Sequence, residues 1–176
     1  VDALGKLKSK DAINALKDKL NSADPVMKVH IKEALKIILG ESVWQKMLDE
    51  YVTNSKREQA DKFFHEARNK ARDKTWKEVI SLLKKSNALH QTLRNLNLLA
   101  RAYAELRQFD EAEKCFMKIL RSRPDNPKIL CNLAMLHFVQ GNFESVENIF
   151  RRIEQQSDVP SDILSQIEKT RHKMKE

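Results

Sequence analysis

The chain has 176 residues, of which 41% are apolar and 33% charged, with only 3 Gly and 4 Pro and a formal charge of +8. So little glycine excludes the phosphate loops and dinucleotide fingerprints that bring backbone close to phosphate, and neither G-x-x-x-x-G-K-[ST] nor G-x-G-x-x-G occurs. No apolar run approaches the roughly 18 residues of a membrane span, and a chain dominated by Leu, Ala, Lys and Glu is expected to be all-α.

The first third has a period of its own. Ala3-Leu4 recurs as Ala34-Leu35, Ala12 as Val43, Leu16 as Met47 and Leu20 as Tyr51, all at an offset of 31. Asp24 is placed to cap a helix with Pro25 at its first position, where the missing N–H costs nothing. The run Ala3-Leu4-Gly5-Lys6-Leu7, Ala12-Ile13-x-Ala15-Leu16-x-x-x-Leu20, Asp24-Pro25 and Glu33-Ala34-Leu35 resembles the HEAT-like repeats of phycobilisome-lyase type. Residues 1–54 are therefore expected to form HEAT-like repeats. The opening Val1-Asp2-Ala3-Leu4-Gly5 reads as a segment of a longer chain that begins mid-repeat. The polar trio Thr53-Asn54-Ser55 marks the expected boundary, followed by a long helix from about Ser55 to Arg72.

A second period follows. Leu99, Ala100, Tyr103, Phe109, Ala112, Phe116 and Ile119 recur 34 residues later as Leu133, Ala134, His137, Phe143, Val146, Phe150 and Ile153. Upstream, Ala67, Trp76, Val79 and Leu83 match Ala100, Phe109, Ala112 and Phe116 at an offset of 33. A small residue on the first helix and large ones on the second describe a helical hairpin that packs closely at the alanine. Turns are expected between Leu106 and Phe109 and at Gly141-Asn142, with Asn126 as N-cap and Pro127 at N1 of the next hairpin. With Leu99-Ala100-x-x-Tyr103, Phe109-x-x-Ala112-x-x-x-Phe116 and Pro124, residues 93–126 resemble a tetratricopeptide repeat. Residues 127–160 resemble a second copy and 60–92 a weaker first one, giving three repeats over 55–160. Arg107 departs from the pattern, standing where a turn glycine is usual, and His137 replaces a tyrosine. Residues 161–176 are expected to cap the stack as a helix from Ser161 to about Lys173, Ser161 acting as its N-cap and Ile163, Leu164 and Ile167 forming its apolar face.

Chemistry-bearing residues are dispersed. His30, His65, His90, His137 and His172 lie on different predicted helices without metal-ligand spacing, no nucleophile elbow occurs, and His137 reads as a core substitute for an aromatic. Cys115 and Cys131 read as buried free thiols. No catalytic site, metal or cofactor is expected. Six of the aromatic residues, Phe63, Trp76, Phe109, Phe116, Phe143 and Phe150, are assigned to the core, while Phe64 is expected to face the groove.

The resemblance implies that the first helix of each repeat lines a concave groove. By position in the repeat, its residues are Phe64 and Arg68, then Arg94, Asn97, Leu98, Arg101 and Glu105, then Lys128, Cys131, Asn132, Met135 and Phe138. Arg68, Arg94, Arg101 and Lys128 would form a basic wall, Asn97 and Asn132 would hydrogen-bond a peptide backbone, and Met135 and Phe138 would form an apolar floor. Of the two-carboxylate clamp with which some relatives hold chaperone tails, only Lys128 is present.

The function expected is a non-catalytic protein-interaction scaffold that binds another protein, acidic in the contacting segment. In bacteria, relatives of this mixed kind organise envelope, secretion and motility assemblies. The alternative is nucleic-acid binding, since residues 55–126 carry 17 Lys and Arg against 10 Asp and Glu. With no signal or membrane span within the chain, a cytoplasmic location is expected.

Overall fold

A computed structural model describes residues 10–175 of the chain, whose regular structure is all helix, with no strand among them. The helices are α1 (Lys10–Ser22), α2 (Pro25–Leu39), α3 (Glu41–Arg72), α4 (Trp76–Leu89), α5 (Leu93–Glu105), α6 (Phe109–Ser122), α7 (Pro127–Val139), α8 (Phe143–Glu154) and α9 (Ser161–Lys173). The expected repeat element at Ala3–Leu7 lies outside the described residues. Two compact units form, residues 1–56 and 57–176, and the division falls within α3. The long helix expected from about Ser55 begins instead at Glu41 and runs through Thr53-Asn54-Ser55 to Arg72. Each of these residues costs only a few tenths of a kcal/mol in a helix, and the good helix formers from Lys56 to Ala60 carry the helix onward.

In the first unit, Asp24 accepts from the Met27 N–H at 2.9 Å and Pro25 opens α2, while Gly40, at φ +81°, closes it. Leu20, Ile31, Leu35 and Trp44 are buried together, with Leu16, Leu39, Met47 and Leu48 packed around them. Val43 and Tyr51 are exposed, so the 31-residue period does not carry burial through. Trp44, Met47 and Leu48, at i, i+3 and i+4, turn a different stripe of α3 inward.

The second unit is a stack of hairpins: α4 packs on α5, α5 on α6, α6 on α7, α7 on α8, and α9 on α7. One turn occurs three times. Lys74 (φ +57°), Arg107 (φ +57°) and Gly141 (φ +76°) are left-handed at equivalent positions. Each donates its N–H to the carbonyl three residues back, and the next residue donates five back, as in Thr75 to Lys70, Gln108 to Tyr103 and Asn142 to His137. This Schellman closure satisfies the last carbonyls of the first helix and reverses the chain. Asn126 caps α7 through the Ile129 N–H at 3.1 Å with Pro127 at N1, and Asn142 caps α8.

The hairpin crossings are made at alanine. Ala67, Ala100 and Ala134 are completely buried, as are Val79, Ala112 and Val146 opposite them. Leu83, Phe116 and Phe150 fill the space that the alanines leave. Replacing Ala134 with Leu overpacks this crossing and is expected to cost about 1–3 kcal/mol in a urea titration; unchanged stability would mean that the hairpins cross elsewhere.

Several side chains depart from the sequence reading. Ser86 occupies the repeat position of Ile119 and Ile153, fully buried. Its hydroxyl donates to the Ala60 carbonyl at 2.7 Å and accepts from buried Asn95 at 2.8 Å, a polar lock joining α3, α4 and α5. Phe143, assigned to the core, is 45% exposed and leans against half-buried Phe138, ring centroids 5.8 Å apart. On α9, Ile163 and Ile167 are buried but Leu164 is exposed, because Thr170 completes the inward stripe. Ser161 makes no capping bond, and Pro160 holds the N-cap position instead. His137 is half-buried, and its buried Nδ1 has no hydrogen-bond partner.

The capping helix is held by charge as well as by apolar contact. Arg171 on α9 grips Glu147 with two bonds, Nη2 at 2.7 Å and Nε at 3.0 Å, and Glu154 with two more at 2.6 and 3.0 Å. The Arg171 guanidinium holds the Glu147 carboxyl below its ordinary value of 4.5. A carboxyl depressed in the folded state stabilises the fold above its unfolded pKa, and that contribution disappears as pH falls through the lower folded value. Stability is therefore expected to fall more steeply below about pH 4.5 in the parent than in Glu147→Gln, by about 1 kcal/mol given the partial exposure of the network. Parallel acid titrations of the two proteins test this.

Candidate functional site

The first helices of the repeats touch in series through polar side chains. Between α3 and α5, the Arg94 guanidinium lies 4.6 Å over the Phe64 ring and Nη2 donates to Asp61 Oδ1. Between α5 and α7, Asn132 Nδ2 donates to Asn97 Oδ1 at 3.1 Å. Between α7 and α9, Gln166 Nε2 donates to Met135 Sδ at 3.6 Å, and Thr170 Oγ1 lies 3.4 Å from the same sulfur. Phe64 and Arg68 share one face of α3 at i,i+4, Arg94, Asn97 and Arg101 one face of α5, and Lys128, Asn132 and Met135 one face of α7. The contacts set these faces side by side.

The individual residues are not all as expected. Phe64 is buried at 7% exposure, under Arg94, rather than open to a groove. Its ring gains more from the guanidinium above it and the core below than from water. Arg94 is correspondingly committed: it pairs with Asp61, so its charge does not stand alone in the wall. Cys131 is buried as a core residue. Burial pushes its thiol, and that of Cys115, above the ordinary value, which keeps both protonated and unreactive. Asn97 and Asn132 bond to each other, leaving one amide NH2 and one carbonyl for a ligand. Arg68, Arg101 and Lys128 are exposed on their helices, and among the described residues none of the three has an ion-pair partner. Phe138 is half-buried against Phe143.

A cavity of about 340 Å³ opens between α5, α6 and α7. Arg101, Asn132 and Met135, all placed in the groove by sequence, line it. Phe109, Phe116, Leu136 and Val139 give it an apolar lining, and Glu105 and Arg107 line it as well. In the linear pattern Arg107 is only a departure from a turn glycine, and nothing there places it on the same cavity as Arg101. Among the described residues, no group of three or more His, Cys, Asp or Glu is arranged to hold a metal ion, and no helix is long and apolar enough to cross a membrane.

Residues 93–126, comprising α5, α6 and the turn after them, match the tetratricopeptide repeat model. Such repeats generally mediate protein–protein interactions as scaffolds and are typically non-catalytic. No curated protein matches the chain.

Proposed function

We propose that this chain is a non-catalytic scaffold that holds a segment of another protein along the first-helix face of its repeats, through Arg68, Asn97, Arg101, Lys128, Asn132, Met135 and Phe138. Phe64 and Arg94 shape this face from beneath and from one side. The observation that carries the reading is the series of contacts from Arg94–Phe64 through Asn97–Asn132 to Met135–Gln166, which joins four helices into one continuous surface. Three exposed cations without acidic partners on that surface favour an acidic segment. Nucleic-acid binding is the weaker reading, because Lys70, Arg94 and Lys114 of the basic central stretch are neutralised by Glu78, Asp61 and Glu111.

Reversing Arg101 and Lys128 together to Glu is expected to abolish capture of an acidic partner from lysate while leaving the urea midpoint almost unmoved, since exposed unpaired charges contribute little to folding. Arg94 is unsuitable for this test, as a glutamate there would face Asp61. Partner capture that survives the double reversal would overturn the basic-face reading. Binding to generic duplex DNA or RNA that falls steeply with salt would favour the nucleic-acid reading instead.

A further inference from the structure

We infer that the cavity between α5, α6 and α7 is an anchor pocket for a protein segment in which a large apolar side chain stands next to a carboxylate. The inference rests on the scaffold reading above and names the chemistry of the partner. The cavity's volume of about 340 Å³ lies at the small end of ligand pockets, enough for one anchoring side chain with its flanking backbone. Phe109, Phe116, Leu136 and Val139 give it an apolar lining, and two arginines, Arg101 and Arg107, line it as well. Among the described residues neither guanidinium takes part in an ion pair or hydrogen bond, which leaves both for a carboxylate, and an arginine can hold one through two parallel N–H donors. Glu105 lines the cavity too and provides an acceptor for a backbone N–H of the bound segment. An entering apolar side chain thus packs on the apolar lining while its acidic neighbour pairs with the two cations.

The backbone at Arg107 holds φ +57°, as Lys74 does at the equivalent turn of the preceding repeat, and Gly141 is left-handed at that of the next. A side chain carries a conformational cost there that glycine avoids.

That same position supplies a variant that removes the group without endangering the fold. Arg107→Gly deletes the guanidinium and relieves the backbone, so its urea midpoint should equal or exceed the parent's. A displayed library of random heptapeptides would be selected on the full chain, and the enriched peptides remeasured by fluorescence anisotropy against the parent, Arg107→Gly, Val139→Asp and Lys128→Glu. The expected result is a consensus pairing Leu, Ile or Phe with an adjacent Asp or Glu, whose affinity falls about tenfold or more with Arg107→Gly, as loss of one charge-assisted contact implies, and likewise with Val139→Asp. A consensus without an acidic residue would overturn the inference. So would peptides whose affinity Arg107→Gly leaves within twofold; if Lys128→Glu then weakens them, the scaffold reading survives and the anchor pocket does not. No enrichment on the parent would overturn both.

Discussion

Phe150→Ala is expected to lower the stability of the second unit by about 3–5 kcal/mol. Phe150 is the largest completely buried side chain among the described residues. It lies on the second helix of the last hairpin, in the space left by Ala134 on the first. Truncation removes the transfer free energy of the ring and leaves a cavity that Val146 and Ile153, also fully buried, cannot collapse to fill. Arg171 lies 5.7 Å from the ring centroid, so the hold of the capping helix α9 is weakened as well. Urea titrations of the parent and the variant, followed by far-ultraviolet circular dichroism, measure the difference. A loss below about 1 kcal/mol would mean that the repeat positions are misassigned.

The corresponding test of the first unit is Leu35→Ala, with an expected loss of about 2–5 kcal/mol. Leu35 is completely buried on α2 and meets Leu20, Ile31 and Trp44. Among the described residues these four make up the buried cluster, so one truncation removes a large share of it. Trp44 sits in that core at 6% exposure and reports on it directly by fluorescence once the chain's other tryptophan, Trp76, is changed to Phe. The Trp44 transition should move to lower urea. A Trp44 signal that does not shift would show that α1, α2 and the start of α3 are not held together by this cluster.

Much of this molecule is written locally. The helical class follows from composition, and Asp24-Pro25, Asn126-Pro127 and Gly141-Asn142 mark helix ends because capping and turn chemistry act over three or four residues. The spacing of Ala100 with Phe116 and of Ala134 with Phe150 is legible because close helix crossings demand a small residue opposite a large one, and that demand recurs with each repeat. Where the reading failed, the deciding contact came from far along the chain. Phe64 is buried because Arg94, thirty residues on, closes over it, and Arg94 is taken from the groove by Asp61. Ser86 tolerates an isoleucine's place because Ala60 and Asn95 satisfy its hydroxyl. Phe143 is exposed although Trp76 and Phe109 at its position are half-buried. The cavity that joins Arg101 to Arg107 exists only where α5, α6 and α7 meet. Sequence alone determined the helical class, the ends marked by Asp24, Asn126 and Gly141, and the repeat of residues 93–126, since these depend on propensity and spacing. The tertiary structure alone decided which polar and aromatic side chains remain available to a partner, since that depends on which neighbour reaches each one first.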